Sequence, residues 1–594
     1  MAKFCGNCGK PLGENDEVCG NCGTHVAVNE AVPPTAQSRT ASNAINGKKA
    51  AVIGGALLAV IVLAVVLIKV ASGTTPGPST SSTSSAPSSS TAQQIAANSS
   101  TPDGEPTPIP AAKNETLAGR AKKAIKELDV WDGSVAESFD GGDGSVENPY
   151  QIANGGQLAK LAQDTNSGID FAGFYFVLTS DIMLNDINGW DFGKTPEANT
   201  RDASNTSPIW KNTWESIGER SYSWDQDGNA EAELVKAPFA GNFDGAGYTV
   251  WGMFCPMGST GLFGFVTGNI TNTSVACGSI WNYSVSAGAV VAWLQDNTIS
   301  NCYSEDIFIQ SDTGKLGVQE LVGSICGFCE DNCNVLSCSA KNVEIHVMHA
   351  LRSEIGGILG GSFSGDCNIS NCYSECDIDI YGVASDTVTY NRAGGICGTG
   401  KNISNCISNT NISFFEVIND DNRAINSVAG GIAGSCSGNI VSCGSNGDIS
   451  GICNNNDRIS FGGIAFSVGR GENDTGNITI RNCYTSGKIS VEDGEKSEDV
   501  EVNGLICNIL TDGNNEIEAS VTDCYFVTSG SDQAIGSNAK EISLFTNQVI
   551  SVSSKSDLNK FDTFMNWDFE NEWAIDNKVN DGFPIPRSLF EILS

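Results

Sequence analysis

From about residue 141 the chain settles into short runs in which apolar and polar residues alternate. Asn368-Ile369-Ser370-Asn371-Cys372-Tyr373-Ser374 and Cys376-Asp377-Ile378-Asp379-Ile380 are two of them, and turns rich in Gly and Asn separate one run from the next. Alternation with period two puts every apolar residue on one face, so each run predicts a short strand with one buried side. The runs are themselves repeated. A phrase of Gly followed by small and apolar residues recurs at Gly261–Gly264, Gly288–Val291, Gly323–Cys326, Gly357–Gly360, Gly395–Gly398, Gly431–Gly434, Gly463–Phe466 and Gly504–Cys507. In the second and third copies Ala289 and Ser324 take the slot that Gly holds elsewhere, and the apolar pair falls one residue later. Downstream of each copy comes a phrase built on Asn-Cys-Tyr-Ser. Its cysteines are Cys277, Cys302, Cys338, Cys372, Cys406, Cys443, Cys483 and Cys524, at intervals of 25, 36, 34, 34, 37, 40 and 41 residues. Eight copies of one approximate period predict a mainly β fold, a parallel β-helix or solenoid, with three short strands to each coil. Coils stacked about 4.8 Å apart would extend roughly 40 Å over eight repeats.

The first 142 residues carry a different pattern. Ala50 to Ile68 is continuously apolar, and its 19 residues span about 28 Å as a helix, against about 30 Å of bilayer hydrocarbon. A signal peptide starts nearer the N-terminus with a shorter apolar run, and a core helix of this length shows a polar stripe. Residues 50–69 therefore predict a single transmembrane helix. Lys48 and Lys49 stand just before it, and after Lys69 the next basic residue is Lys113. That asymmetry places the N-terminus in the cytoplasm and the large C-terminal part outside the cell membrane. Residues 27–49 read as a cytoplasmic linker. Residues 70–112, dominated by Ser, Thr, Pro and Ala, read as a stalk reaching about 35 Å as a flexible coil. A short helix and lead-in are expected over 113–142, a solenoid entry or cap region over 143–260, the repeats over 261–530 and a C-terminal cap over 531–594.

Near the N-terminus two Cys-x-x-Cys knuckles, Cys5/Cys8 and Cys19/Cys22, are separated by ten residues, and Gly9 and Gly23 follow the second cysteine of each. Two thiolates three residues apart can bind one ion from a tight turn, and four together satisfy tetrahedral Zn2+ with no position left for water. Residues 1–26 are too few to build a core, so one structural zinc ion would supply their folding energy. The module resembles the short zinc ribbons at the N-termini of many bacterial membrane proteins.

Charge and cysteine content narrow the reading further. The net charge is −36, and 27 of the 33 basic and 65 of the 69 acidic residues follow residue 69. Such a surface repels nucleic acid. In a stacked coil one repeated slot becomes one internal column, where a free thiol packs as a small apolar group. The eight repeated cysteines thus predict a buried ladder rather than a disulfide framework. Cys326 and Cys397 predict a second, partial column shared with Phe263, Val291, Leu359 and Ala433. Cys333 and Cys367, each five residues before a ladder cysteine, are placed to pair across coils. Cys326, Cys329, Cys333 and Cys338 have metal-like spacing, but two of them are inward strand positions and the run reads as packing. No catalytic residue and no cofactor-binding residue is assigned. Asp377 and Asp379 share a strand face and Asp181 and Asp186 do not, but all four read as solvated face or turn. His346 and His349 are not on a common face.

The repeat resembles the GLUG motif of bacterial and archaeal surface proteins, with Gly261-Leu262-Phe263-Gly264 the nearest copy. Asp143-Gly144-Ser145 and Asn148-Pro149-Tyr150-Gln151-Ile152, with Leu158 and Leu161, resemble the usual start of such domains. Phe171 to Leu184 and Phe239 to Val250 resemble the preceding strand-forming caps, and Trp567-Asp568-Phe569, Trp573 and Gly582-Phe583-Pro584 the usual end. The resemblance covers about 143–587. It implies a right-handed β-solenoid on a cell-surface protein and implies no activity. The expectation is a single-pass membrane protein that displays an adhesion or binding domain for glycan, cell wall or protein. Trp210, Trp214, Tyr222 and Trp224 are candidates for stacking on sugar rings. The alternatives are an extracellular polysaccharide-acting β-helix enzyme and a sensor signalling through the zinc ribbon.

A peptide of residues 1–26 is expected to bind one zinc through Cys5, Cys8, Cys19 and Cys22 and to be unfolded without it. Zinc titration followed by NMR checks this, and dispersed spectra in excess chelator would sink the assignment.

Overall fold

The alternating runs become strands because each hydrogen-bonds edge to edge with the run one repeat earlier, which lines their apolar residues up on one inward face. In the repeat around Cys372, strand Arg352–Gly356 joins a seven-stranded sheet (sheet 3) and Leu359–Ser362 an eight-stranded one (sheet 1). Asn368–Ser370 and Tyr373–Gly382 join a long sheet (sheet 2). Pairing to the neighbouring coils is parallel throughout this repeat. Ile355 lies between Val322 and Ala393, Leu359 between Cys326 and Cys397, and Ile369 between Val335 and Ile403. The chain is thus a parallel β-solenoid. The computed structural model describes residues 115–594 except 201–209, 225–229, 257–259, 313–318, 351, 363–366, 383–388, 417–424, 454–456, 470–476, 494–499, 511–517, 529–532, 537–542 and 594, together with the backbone of strands Lys3–Phe4 and Pro11–Leu12.

In-register stacking turns sequence positions into columns. Ile270, Ile299, Val335, Ile369, Ile403, Ile440, Ile480 and Val521 form one inside sheet 2, each at most 1% exposed. Burying each such side chain contributes about 1.5–3 kcal/mol. The predicted partial column is present in sheet 1 as Phe263, Val291, Cys326, Leu359, Cys397 and Ala433, and continues through Ala465 and Ile506.

The two sheet 2 strands of a coil meet at a corner whose residue has a left-handed backbone. Asn272, Asn301, Ser337, Asn371, Asn405, Ser442, Asn482 and Asp523 occupy it with φ between 50° and 56°. Asn and Asp tolerate this conformation better than other residues with side chains, and Ser is a common turn residue. The residue after each of the last seven is a buried ladder cysteine whose thiol donates to the carbonyl two residues earlier. Cys406 reaches Ser404 O at 3.1 Å and Cys372 reaches Ser370 O at 3.3 Å. Burial pushes the thiols of Cys338, Cys406, Cys443 and Cys524 well above the ordinary range, so they remain neutral donors. In the first coil Thr273 takes the position, its hydroxyl 2.9 Å from Thr271 O.

Cys277 is therefore not a ladder member, which corrects the eight-cysteine column to seven. It sits at a bulge, φ 53°, one residue past Ala276 in strand Ser274–Asn282. It faces outward into a separate cluster with Ala121, Ala124 and Trp251. Its interval of 25 residues to Cys302, shorter than the rest, reflects this difference. All eighteen cysteines from Cys255 onward are buried free thiols.

Helix α1 (Leu117–Glu127) buries Ala121 and Ala124 against that outer cluster, and Arg120 pairs with Glu305. Helix α2 (Gly155–Asn166) places Leu158, Leu161 and Ala162 in the core with Ile152, Phe176 and Phe243. At the far end Ser543–Val552 pairs with Glu518–Val527. Residues 555–593 then run back along the corner side, where Trp567, Trp573 and Phe583 pack on Tyr373, Tyr484 and Tyr525. Ser588 Oγ donates to Asn371 Oδ1 at 2.8 Å, so this segment straps several coils together.

Strands Lys3–Phe4 and Pro11–Leu12 pair antiparallel and bracket Cys5 and Cys8. The rest of the expected zinc ribbon (1–26), the linker (27–49), the transmembrane segment (50–69) and the stalk (70–112) lie outside the described residues. Among the described residues no helix is long and apolar enough to cross a membrane.

Cys372→Ala is expected to cost about 1–3 kcal/mol in denaturant unfolding, as packing and one thiol donor are lost. Cys372→Asp, which buries a carboxylate, is expected to cost several kcal/mol more. Equal costs would place the thiol outside the core.

Candidate functional site

The outer face of sheet 2 gathers the chemistry. Alternation along each long strand sends two columns outward. Phe308, Glu344, Asp377 and Asn411 form one, and Gln310, His346, Asp379 and Ser413 the next. The register between the second and third of these strands is set by a bulge at Asn342, φ 49°, which lets Glu344 pair with Asp377 and His346 with Asp379.

The short helix α3 (Pro196–Thr200) packs over these columns. Glu197 N–H donates to Glu344 Oε2 at 2.5 Å. The His346 ring lies between two carboxylates, with Nδ1 3.8 Å from Glu197 Oε1 and Nε2 3.5 Å from Asp379 Oδ2. Phe308 packs edge-on against the imidazole at 5.2 Å between centroids. One coil on, Tyr381 and Phe415 stack at 5.0 Å with their planes 16° apart. Phe415 and Ile452 are exposed there. The nearby depression between Ile380, Phe415, Ile452 and Asp457 has about 10 Å³ of room, close to one water.

Burial and crowding set the charge state of this patch. Burial pushes the Asp379 carboxyl up to about 6, helped by the carboxylates of Asp377, Glu344 and Glu197. Burial likewise raises Glu344, opposed by the Glu197 N–H bond to its carboxylate. A protonated His346 would bridge Glu197 and Asp379, while a neutral one donates to one of them. The patch therefore holds a carboxylic acid, carboxylates and an imidazole side by side next to a partly exposed aromatic stack.

Several expected residues lie elsewhere or behave differently. Asp377 and Asp379 do share a face, but only Asp377 is exposed; Asp379 is half-buried, which corrects the solvated reading for that residue. Asp181 accepts from Thr249 N and Asp186 from Asn188 N, so both are backbone-capping groups. Trp214 is buried against Trp131 and Trp210 is stacked on Phe254, so neither offers an open platform. The side chains of Tyr222, Trp224 and His349 lie outside the described residues. Asp306, also pushed up to about 6 by burial, accepts from Trp190 Nε1 and Asn342 Nδ2 and ties the entry region to sheet 2. Among the described residues no group of three or more His, Cys, Asp and Glu is arranged to hold a metal ion.

No protein-family model matches the chain, and no curated protein matches it. A solved structure described as a putative immunoglobulin A1 protease from Bacteroides ovatus aligns with 76% of this chain and 98% of that one. The identity is 18% and the TM-score 0.34. At that level the likeness says nothing about activity or site.

A carboxyl whose folded pKa lies above its unfolded value holds its proton more tightly in the fold. Its stabilising contribution is present at low pH and lost as pH rises through about 4 to 6. Asp379→Asn is therefore expected to match the wild type near pH 4 and to exceed its stability by about 1–2 kcal/mol at pH 7.5. Urea unfolding at both pH values, with an NMR titration of Asp379, checks this; a midpoint near 4 would return the residue to water.

Proposed function

We propose that this chain is a membrane-anchored surface protein whose solenoid binds glycan on the outer face of sheet 2. The observation that carries the reading is the stack of partly exposed Tyr381 on exposed Phe415, beside half-buried Asp379 and the buried Glu344 and His346. An aromatic face suits the apolar side of a sugar ring, and carboxylates with an imidazole accept and donate to ring hydroxyls. An open row of outward columns repeated from coil to coil suits an extended polymer. The rest of the proposal comes from the sequence. The apolar run 50–69 anchors the chain, Lys48 and Lys49 fix the N-terminus inside, and the 70–112 stalk lifts the solenoid from the membrane. The Cys5, Cys8, Cys19 and Cys22 module is a structural zinc ribbon in the cytoplasm. Kinship with the GLUG-repeat surface proteins belongs to the same proposal.

The full chain in detergent, applied to a glycan array and to cell-wall fragments, tests the reading. Tyr381→Ala and Phe415→Ala are each expected to weaken binding about tenfold, close to 1.4 kcal/mol. Undiminished binding by both variants would place the site elsewhere. Shortening of a bound polysaccharide by the wild-type chain would favour the enzyme reading instead.

A further inference from the structure

A second feature of the core stands apart from both the ladder and the glycan face. Four thiols converge where sheet 1 turns into sheet 2. Cys326 Sγ and Cys329 Sγ are 3.9 Å apart, and Cys333 and Cys367 neighbour Cys329. All four are buried. Cys333 and Cys367 each precede a residue of the in-register pair Asn334 and Asn368, and Asn368 N donates to Cys333 O at 3.0 Å. They are therefore stacked directly on successive coils. Strands in a sheet lie about 4.8 Å apart, inside the roughly 4.4–6.8 Å Cα separation that a disulfide spans.

The residues above and below this pair show that packing alone does not call for sulfur here. The same slot holds Asn297 in the preceding coil and Lys401 in the following one. The ladder differs, since its corner slot holds a cysteine in seven successive coils; Cys333 Sγ donates to Glu330 O at 3.1 Å, but its slot holds a cysteine in only two. Two thiols confined to two adjacent coils, with a third against them, have the arrangement of a cross-link and its exchange partner.

We infer that Cys333 and Cys367 are a redox pair that closes to a disulfide joining two successive coils. The step is thiol–disulfide exchange with a small-molecule or protein disulfide. One thiol of the pair, as thiolate, displaces a thiol from the oxidant; the second then attacks the mixed disulfide and releases the other half. One S–S bond forms as one breaks, and the pair's two electrons and two protons leave on the oxidant's two thiols. Because both sulfurs are buried, exchange follows opening of this corner and is slow beside that of an exposed thiol.

Purified full-length chain equilibrated with glutathione disulfide, alkylated in denaturant and mapped without reductant tests the pairing independently of topology and of glycan binding. A linked Cys333–Cys367 peptide is expected, with Cys302, Cys372 and Cys406 fully alkylated. Reduction is expected to lower the melting temperature of the oxidised wild type and to leave that of C333S/C367S unchanged. Two alkylated thiols at Cys333 and Cys367, a link through Cys326 or Cys329, or an unchanged reductant-dependent shift in the double variant would overturn the inference. Where the double variant does not fold, the wild-type map alone decides.

Discussion

A parallel coil stacked in register must make the same turn at the same point on every lap, and the rest of this structure depends on how it does so. The hardest point is the corner within sheet 2, where a left-handed residue is followed immediately by a buried one. The carbonyl two residues before the buried residue points into the corner and needs a donor. The ladder cysteine supplies it from a side chain small and apolar enough to sit in the core. That double demand explains why Thr273, which also carries a donor on a small side chain, is the substitute in the first coil. It also explains why the left-handed position before it is drawn from Asn, Asp and Ser.

Once the corner is fixed, inward columns follow at a fixed rise, and isoleucine fills many of them because a β-branched side chain packs well on the pleated surface. Ends and edges then need separate solutions. Helix α2 adds its leucines to the entry end of the core. The C-terminal aromatics bind across the corner side rather than extending the stack, tying Asn371 in one coil to Tyr525 four coils on. Helix α1 lies on the outer surface, and Cys277 belongs to that contact and not to the ladder.

The candidate site is a consequence of the same register. Alternation sends Glu344, His346, Asp377 and Asp379 outward whatever their role. What makes them a group is the single extra residue at Asn342, which shifts one strand so that His346 stands over Asp379, and the arrival of α3 from more than 140 residues away. Counting repeats from the ladder cysteines does not find this, because Glu344 is six residues after Cys338 and Asp377 five after Cys372. The signal was present in the aligned alternation, but it is legible only when the bulge is known. Two of the entry-region aromatics that the sequence offers are likewise closed off by packing, Trp214 by burial and Trp210 by stacking on Phe254.

Local periodicity and repetition are properties of the chain itself, so the strands, the solenoid, the inward columns at Cys372 and Leu359 and the shared face of Asp377 and Asp379 were legible before folding. Positions that depend on contacts between distant segments were decided only by the tertiary structure. It excluded Cys277 from the ladder, placed the C-terminal strap along the coils, half-buried Asp379 under neighbouring carboxylates and brought Glu197 to His346. The physical reason is that burial and charge are set by what covers a residue, and in a stacked coil the covering segment comes from a different part of the chain.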